Sequence, residues 1–148
     1  MPRRYAAIGQ RQYSAGKTLA ALTGATTIRA CVEYICITCY DTPGDHVVDI
    51  KIQRHSADGS GGSTFTPLPF DPACPASACT FRHGAMTDPT LTANAFLLQK
   101  AHNTRAAWEN WFGDQPLVIP ASSGAGLSAV MITSDATPNE SCTMHWYE

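Results

Sequence analysis

Ile28-Arg29-Ala30-Cys31-Val32-Glu33-Tyr34-Ile35-Cys36-Ile37-Thr38-Cys39-Tyr40 decides the fold class. β-branched and aromatic residues dominate this run, which points to a strand. Its even positions, from Ile28 through Val32 and Tyr34 to Tyr40, alternate with Arg29, Cys31 and Glu33 and then with Ile35, Ile37 and Cys39. The first half therefore has one wet face and the second half is apolar on both, the pattern of a strand entering a central position in a sheet.

The same rhythm continues outward. Asp41-Thr42-Pro43-Gly44-Asp45 supplies turn chemistry, with Pro fixing φ and Gly free to take a positive one. Val48, Ile50 and Ile52 then line one face of a second strand, and Asp49, Lys51 and Gln53 the other. Strand patterns recur over residues 77–86, 93–101, 106–112, 117–119, 127–133 and 141–147, separated by Gly, Pro, Asp and Asn clusters. Turns about ten residues apart are the mark of an antiparallel β-sandwich or jelly roll. The sequence thus predicts an all-β chain of jelly-roll type with at most one short helix. That helix is expected over residues 14–22, where Leu19 and Leu22 stand one turn apart and Gly24 provides a stop.

Between these strands, residues 56–75 run through Ser-Gly-Gly-Ser into Thr66-Pro67-Leu68-Pro69-Phe70-Asp71-Pro72. Proline and glycine at this density exclude a helix or a central strand, so a long, partly extended loop is expected. Residues 1–12 are expected to be an extended N-terminal segment. At 148 residues, one domain spanning 1–148 is the default.

Composition narrows the function. Charged residues are only 15% of the chain, against about 25% for a typical soluble domain. Such a surface suggests coverage by partners. The net charge of -2 is too small to generate the positive field that nucleic-acid or anionic-membrane binding requires, so neither partner is expected. The apolar stretch after Arg3 and Arg4 is too short for a signal peptide, and no run reaches membrane-spanning length. A soluble product made in the cytosol is expected.

No chemistry-bearing constellation stands out. Cys36 and Cys39 have the Cys-x-x-Cys spacing, but on a strand residues three apart point to opposite faces, so they read as small buried hydrophobes. Of the six cysteines, Cys74 and Cys79 are the pair whose Pro-containing loop could bring two sulfurs together, a candidate disulfide. His46, His55, His83, His102 and His145 are scattered singly. Gly59, Gly61 and Gly62 lack the Lys-Ser/Thr of a phosphate loop. No catalytic residue, metal ligand or cofactor is expected. Among the aromatics, Trp108 and Trp111 face opposite ways on a strand, so at least one should leave the core for a loop, a subunit interface or a carbohydrate.

Arg3-Arg4-Tyr5-Ala6-Ala7 near the start, Ile52-Gln53-Arg54 running into Gly59-Ser60-Gly61-Gly62-Ser63, the Thr66 to Pro72 run, Ala93-Asn94-Ala95-Phe96, and the closing Met144-His145-Trp146-Tyr147-Glu148 together resemble a group of small tailed-phage proteins. The resemblance implies a virion structural protein similar to the decoration or cement proteins of the capsid surface. Its partners would be the major capsid protein and copies of itself, foremost as a trimer. The extended N-terminal segment and the long loop are expected to reach a neighbour. Candidate interface residues are Tyr5, Phe65, Leu68, Phe70, Trp108 and Trp111. The alternative is a tail or fibre module that binds a host glycan through its tryptophans.

Overall fold

The computed structural model describes residues 2–85 and 87–148. Among them the chain is all-β, with no helix. Its strands are β1 (Arg4–Gln12), β2 (Thr18–Thr23), β3 (Ala30–Cys39), β4 (Val47–Ala57), β5 (Ser63–Phe65), β6 (Leu68–Pro69), β7 (Thr80–His83), β8 (Thr90–Asn103), β9 (Trp108–Trp111), β10 (Leu117–Ile119), β11 (Gly126–Ser134) and β12 (Asn139–Tyr147).

They form two antiparallel sheets. In the first, β9 and β10 share one edge of β3, followed by β12, β1 and β6; the second runs β5-β7-β2-β11-β4-β8. Pairing is nested from the chain ends inward: β1 with β12, β2 with β11, β3 with β9 and β10, and β4 with β8. Successive outer strands alternate between sheets, so the two layers are tied together by chain connectivity as well as by packing.

One apolar core joins them. Tyr5, Ile35, Ile37, Met144 and Trp146 contribute from the first sheet, and Leu19, Leu22, Ile52, Phe81, Leu127 and Met131 from the second; all are essentially solvent-free. Each such side chain stabilises the fold by about 1.5–3 kcal/mol relative to exposure. The Trp146 ring is stacked with Tyr5 of its own sheet at 6.1 Å and with Phe81 of the opposite sheet at 6.5 Å.

The helix expected over residues 14–22 is not there. Gly16 takes a left-handed turn at φ 73°, and Thr18–Thr23 is a strand buried at every position between β7 and β11. A bulge explains the deceptive spacing. Ala20 lies opposite Ala129 and Thr18 opposite Val130, so Leu19 is an extra residue, and both Leu19 and Leu22 reach the core.

β3 carries the same device. His145 pairs with Tyr34 and Trp146 with Val32, leaving Glu33 unmatched. Ala30 and Val32 point into the core before this bulge, and Ile35 and Ile37 after it. The single alternation expected from Ile28 to Tyr40 thus changes parity at Glu33, while the central position of the strand holds.

The N-terminal segment is not a free arm. β1 lies between β12 and β6, with Tyr5 and Ala7 in the core. Residues 56–75 are likewise held down. β4 continues to Ala57, β5 pairs with β7, β6 pairs with β1, and Ser60 bridges to Thr87. Gly62 requires its glycine, because φ is +66° and a Cβ would sit 2.6 Å from the carbonyl oxygens of His83 and Gly84. Of the strand expected over residues 77–86, Thr80–His83 forms β7, and Met86 lies outside the described residues.

Candidate functional site: an aromatic row across one sheet face

The parity change at Glu33 turns Tyr34 and Cys36 away from the core. On the neighbouring strands the same outer face takes Glu109 and Trp111 from β9, Thr143 and His145 from β12, and Ala6 and Ile8 from β1. Pairing then aligns Trp111, Tyr34, His145, Ala6 and Leu68 in one line across five strands.

This row is continuous. The Tyr34 ring lies 4.5 Å from Trp111 and 4.8 Å from His145, centroid to centroid. Phe70, whose N–H donates to the Arg4 carbonyl, places its ring edge-on to His145 at 5.1 Å. Trp111 is 63% exposed, Leu68 61% and Phe70 53%, so the large apolar groups are open to solvent. Beside the row, Ala6, Ala7, Ile8, Phe65, Leu68 and Thr143 line a shallow depression of about 240 Å³. Contiguous apolar surface of this kind makes this face the candidate site.

Electrostatics keep the row neutral. Burial, with Cys36 and Glu109 adding to it, pushes the Tyr34 phenol above its ordinary pKa; its hydroxyl donates to Glu109 Oε1 at 3.1 Å. Burial lowers His145, against the opposing charge of Glu33, so the imidazole is uncharged at neutral pH. The nearest charges are Glu109, which follows Trp108 on β9, and the Arg4–Glu33 pair, at 3.3 Å, beside Tyr34 and His145.

Two other polar clusters lie inside the fold. His55 Nδ1 is 2.9 Å from Ser128 Oγ, and its Nε2 is 3.1 Å from Thr23 Oγ1, which donates in turn to Asp58 Oδ1. Asp58 also receives Arg82, at 3.2 Å. Burial lowers His55 to about 4, so it is neutral, with Nε2 donating to Thr23 and Nδ1 accepting from Ser128. Gly126 makes room for this ring, since a Cβ there would meet the imidazole. Ser128 is fully buried, which closes its hydroxyl to any substrate. The second cluster is His102 with Glu140, at 3.2 Å. Among the described residues no group of three or more His, Cys, Asp or Glu is placed to hold a metal ion.

Of the six interface residues expected from sequence, the structure gathers Phe65, Leu68, Phe70 and Trp111 on or beside this face. Tyr5 and Trp108 do not belong to it. Tyr5 is wholly buried against Trp146 with its hydroxyl donating to the Pro75 carbonyl, and Trp108 is 6% exposed in the core. Tyr34, His145 and Ile8 complete the face and were not nominated by the sequence. The available signal was the period-two alternation of each strand, which the Glu33 bulge hides for Tyr34. Cys74 and Cys79 are both free thiols here, and burial together with Glu148 pushes Cys79 up to about 12.

Comparison of the chain with protein-family models, with curated proteins and with solved structures finds no match.

Proposed function

We propose that this chain is a structural subunit of a tailed-phage particle, similar to the capsid decoration or cement proteins, and that it acts by docking and not by catalysis. The observation that carries this reading is the outward-facing row Trp111-Tyr34-His145-Ala6-Leu68, with Trp111, Leu68 and the capping Phe70 exposed, on a protein otherwise poor in charge. The fold we assign is of jelly-roll type. Its support is the nested pairing of β1 with β12, β2 with β11, β3 with β9 and β10, and β4 with β8, as in a long hairpin rolled into two layers. In this reading β5, β6 and β7, all from the segment between β4 and β8, extend the two sheets on their other edges.

The partner is the major capsid protein at the outer shell, with further copies of this chain, foremost as a trimer, completing the assembly. Each contact buries apolar area at about 25 cal/mol per Å² before the cost of association. Copies repeated on a fixed lattice then strengthen the shell collectively. The test is occupancy on purified phage heads. A Trp111→Ala, Leu68→Ser double variant should fold normally yet lose most of its binding; undiminished occupancy would remove the docking face.

A specific arrangement favours a second reading, a host-glycan module of the tail or fibre. Trp111 offers an exposed ring 4.5 Å from Tyr34 and tilted 36° to it, with the Glu109 carboxylate nearby to accept hydrogen bonds from sugar hydroxyls. Titration with purified host-surface polysaccharide, followed by tryptophan fluorescence, separates the two: saturable quenching lost in Trp111→Ala favours the glycan.

A further inference from the structure

The two sheets are joined at one end by a pair of titratable side chains that take no part in the docking face. His102 lies near the end of β8, in the second sheet, and Glu140 near the start of β12, in the first. His102 Nε2 is 3.2 Å from Glu140 Oε2, with side-chain exposures of 5% and 0%. The nitrogen is off the line a hydrogen bond needs, and neither Glu140 oxygen accepts a hydrogen bond from any described group. The His102 ring is therefore the group placed to offset the cost of burying this carboxyl group.

The surroundings offer no substitute for His102. Arg11 and Cys39 flank Glu140 on β1 and β3, but the Arg11 guanidinium is engaged with Asp88 at 2.9 Å, where Lys17 also binds. Val48 stands opposite His102 on β4. In the adjoining loops, His46 pairs with Asp135 at 3.5 Å and Asp45 accepts from Asn103 at 2.8 Å. Through its other nitrogen His102 contacts the Ala106 carbonyl at 3.3 Å. Thr104 of the same turn is tied to His46 and Gly44. One ring thus contacts both Glu140 and the turn that leads from β8 into β9.

We propose that His102 and Glu140 form a proton-operated latch between the sheets: the imidazolium holds the end of β8 and residues 103–106 against β12, and loss of its proton releases them. Burial by itself disfavours the charged ring, but Glu140 outweighs burial and raises His102 above its ordinary value. The sign follows from that direction. The latch is fully closed below about pH 6.5, and it opens as pH rises through the higher folded value.

Hydrogen exchange on the full chain between about pH 6 and pH 9, corrected for intrinsic rates, tests this. Protection of residues 100–106 should fall by up to about tenfold per pH unit above the His102 midpoint, while the centres of β3 and β12 hold theirs. His102→Gln and Glu140→Gln should each remove the pH dependence of that segment. The ring protons of His102, followed by NMR in the unaltered protein, should titrate above an ordinary histidine, so the test stands even if neither variant folds. Constant protection of residues 100–106 across the range, or a His102 midpoint at or below the ordinary value, would overturn the latch.

Discussion

Trp108 and Trp111, three residues apart on β9, stand on opposite faces of the first sheet: Trp108 is 6% exposed within the core, and Trp111 is 63% exposed against Tyr34. Their substitutions should separate stability from binding. Trp108→Ala leaves a cavity between the sheets and should cost about 3–5 kcal/mol. Trp111→Ala should change stability by under about 1 kcal/mol. Urea unfolding of both variants measures this, and equal losses would refute the placement of the two rings.

His55 sets the mildly acidic limit of stability. Its folded pKa, about 4, lies below the unfolded value of 6.5, so the unfolded chain takes up a proton that the folded chain refuses. Stability should therefore fall as pH drops from about 6.5 toward 4, by about 3 kcal/mol in all. His55→Gln should flatten that slope in urea midpoints recorded across the interval. A slope unchanged by the substitution would show that another group titrates there.

Glu148 fastens the segment before β7. Its carboxylate accepts from Ser77 Oγ, the Ala78 and Cys79 amides and Trp146 Nε1. Burial opposes ionisation, but these donors outweigh it and hold the pKa below the ordinary 4.5. Glu148→Ala should cost about 1–3 kcal/mol by leaving Trp146 Nε1 without a partner and untying residues 77–79. Proteolysis near residues 71–79 should quicken in the variant, and an unchanged cleavage rate would argue against the clamp. The stabilisation is present above the unfolded pKa and is lost as pH falls through the depressed folded value.

Thiol labelling distinguishes the cysteines. Cys79 and Cys142 are buried with raised pKa values, whereas Cys31, Cys36, Cys39 and Cys74 are partly exposed. A maleimide at neutral pH should modify the partly exposed four in the native protein and all six after denaturation. A total of only four in denaturant, with Cys74 and Cys79 protected until reduction, would establish the bridge between them.

Much of the strand inventory was legible because it rests on local pattern. Leu117–Ile119 matches the run read from residues 117–119, and the alternation of Val48, Ile50 and Ile52 with Asp49 and Lys51 is the one observed, whereas Gln53, expected on the outer face, is buried. The misread places share a cause. At Leu19 and Glu33 an extra residue changes the side-chain parity, and such a bulge is visible only against the partner strand. The helix expected over residues 14–22, and the concealment of Tyr34 from the candidate face, both follow from this.

Sequence alone determined that this chain would be built from strands, that Trp108 and Trp111 would part company, and that charge would be sparse, since each depends on residue type and near-neighbour spacing. Tertiary structure decided which strands meet, and so which side chains share a surface. Trp111, Tyr34, His145, Ala6 and Leu68 come from five separate strands, and His102 meets Glu140 from opposite sheets. The physical reason is that strand pairing is long-range: local pattern fixes which residues prefer burial, but register between distant segments fixes what they touch.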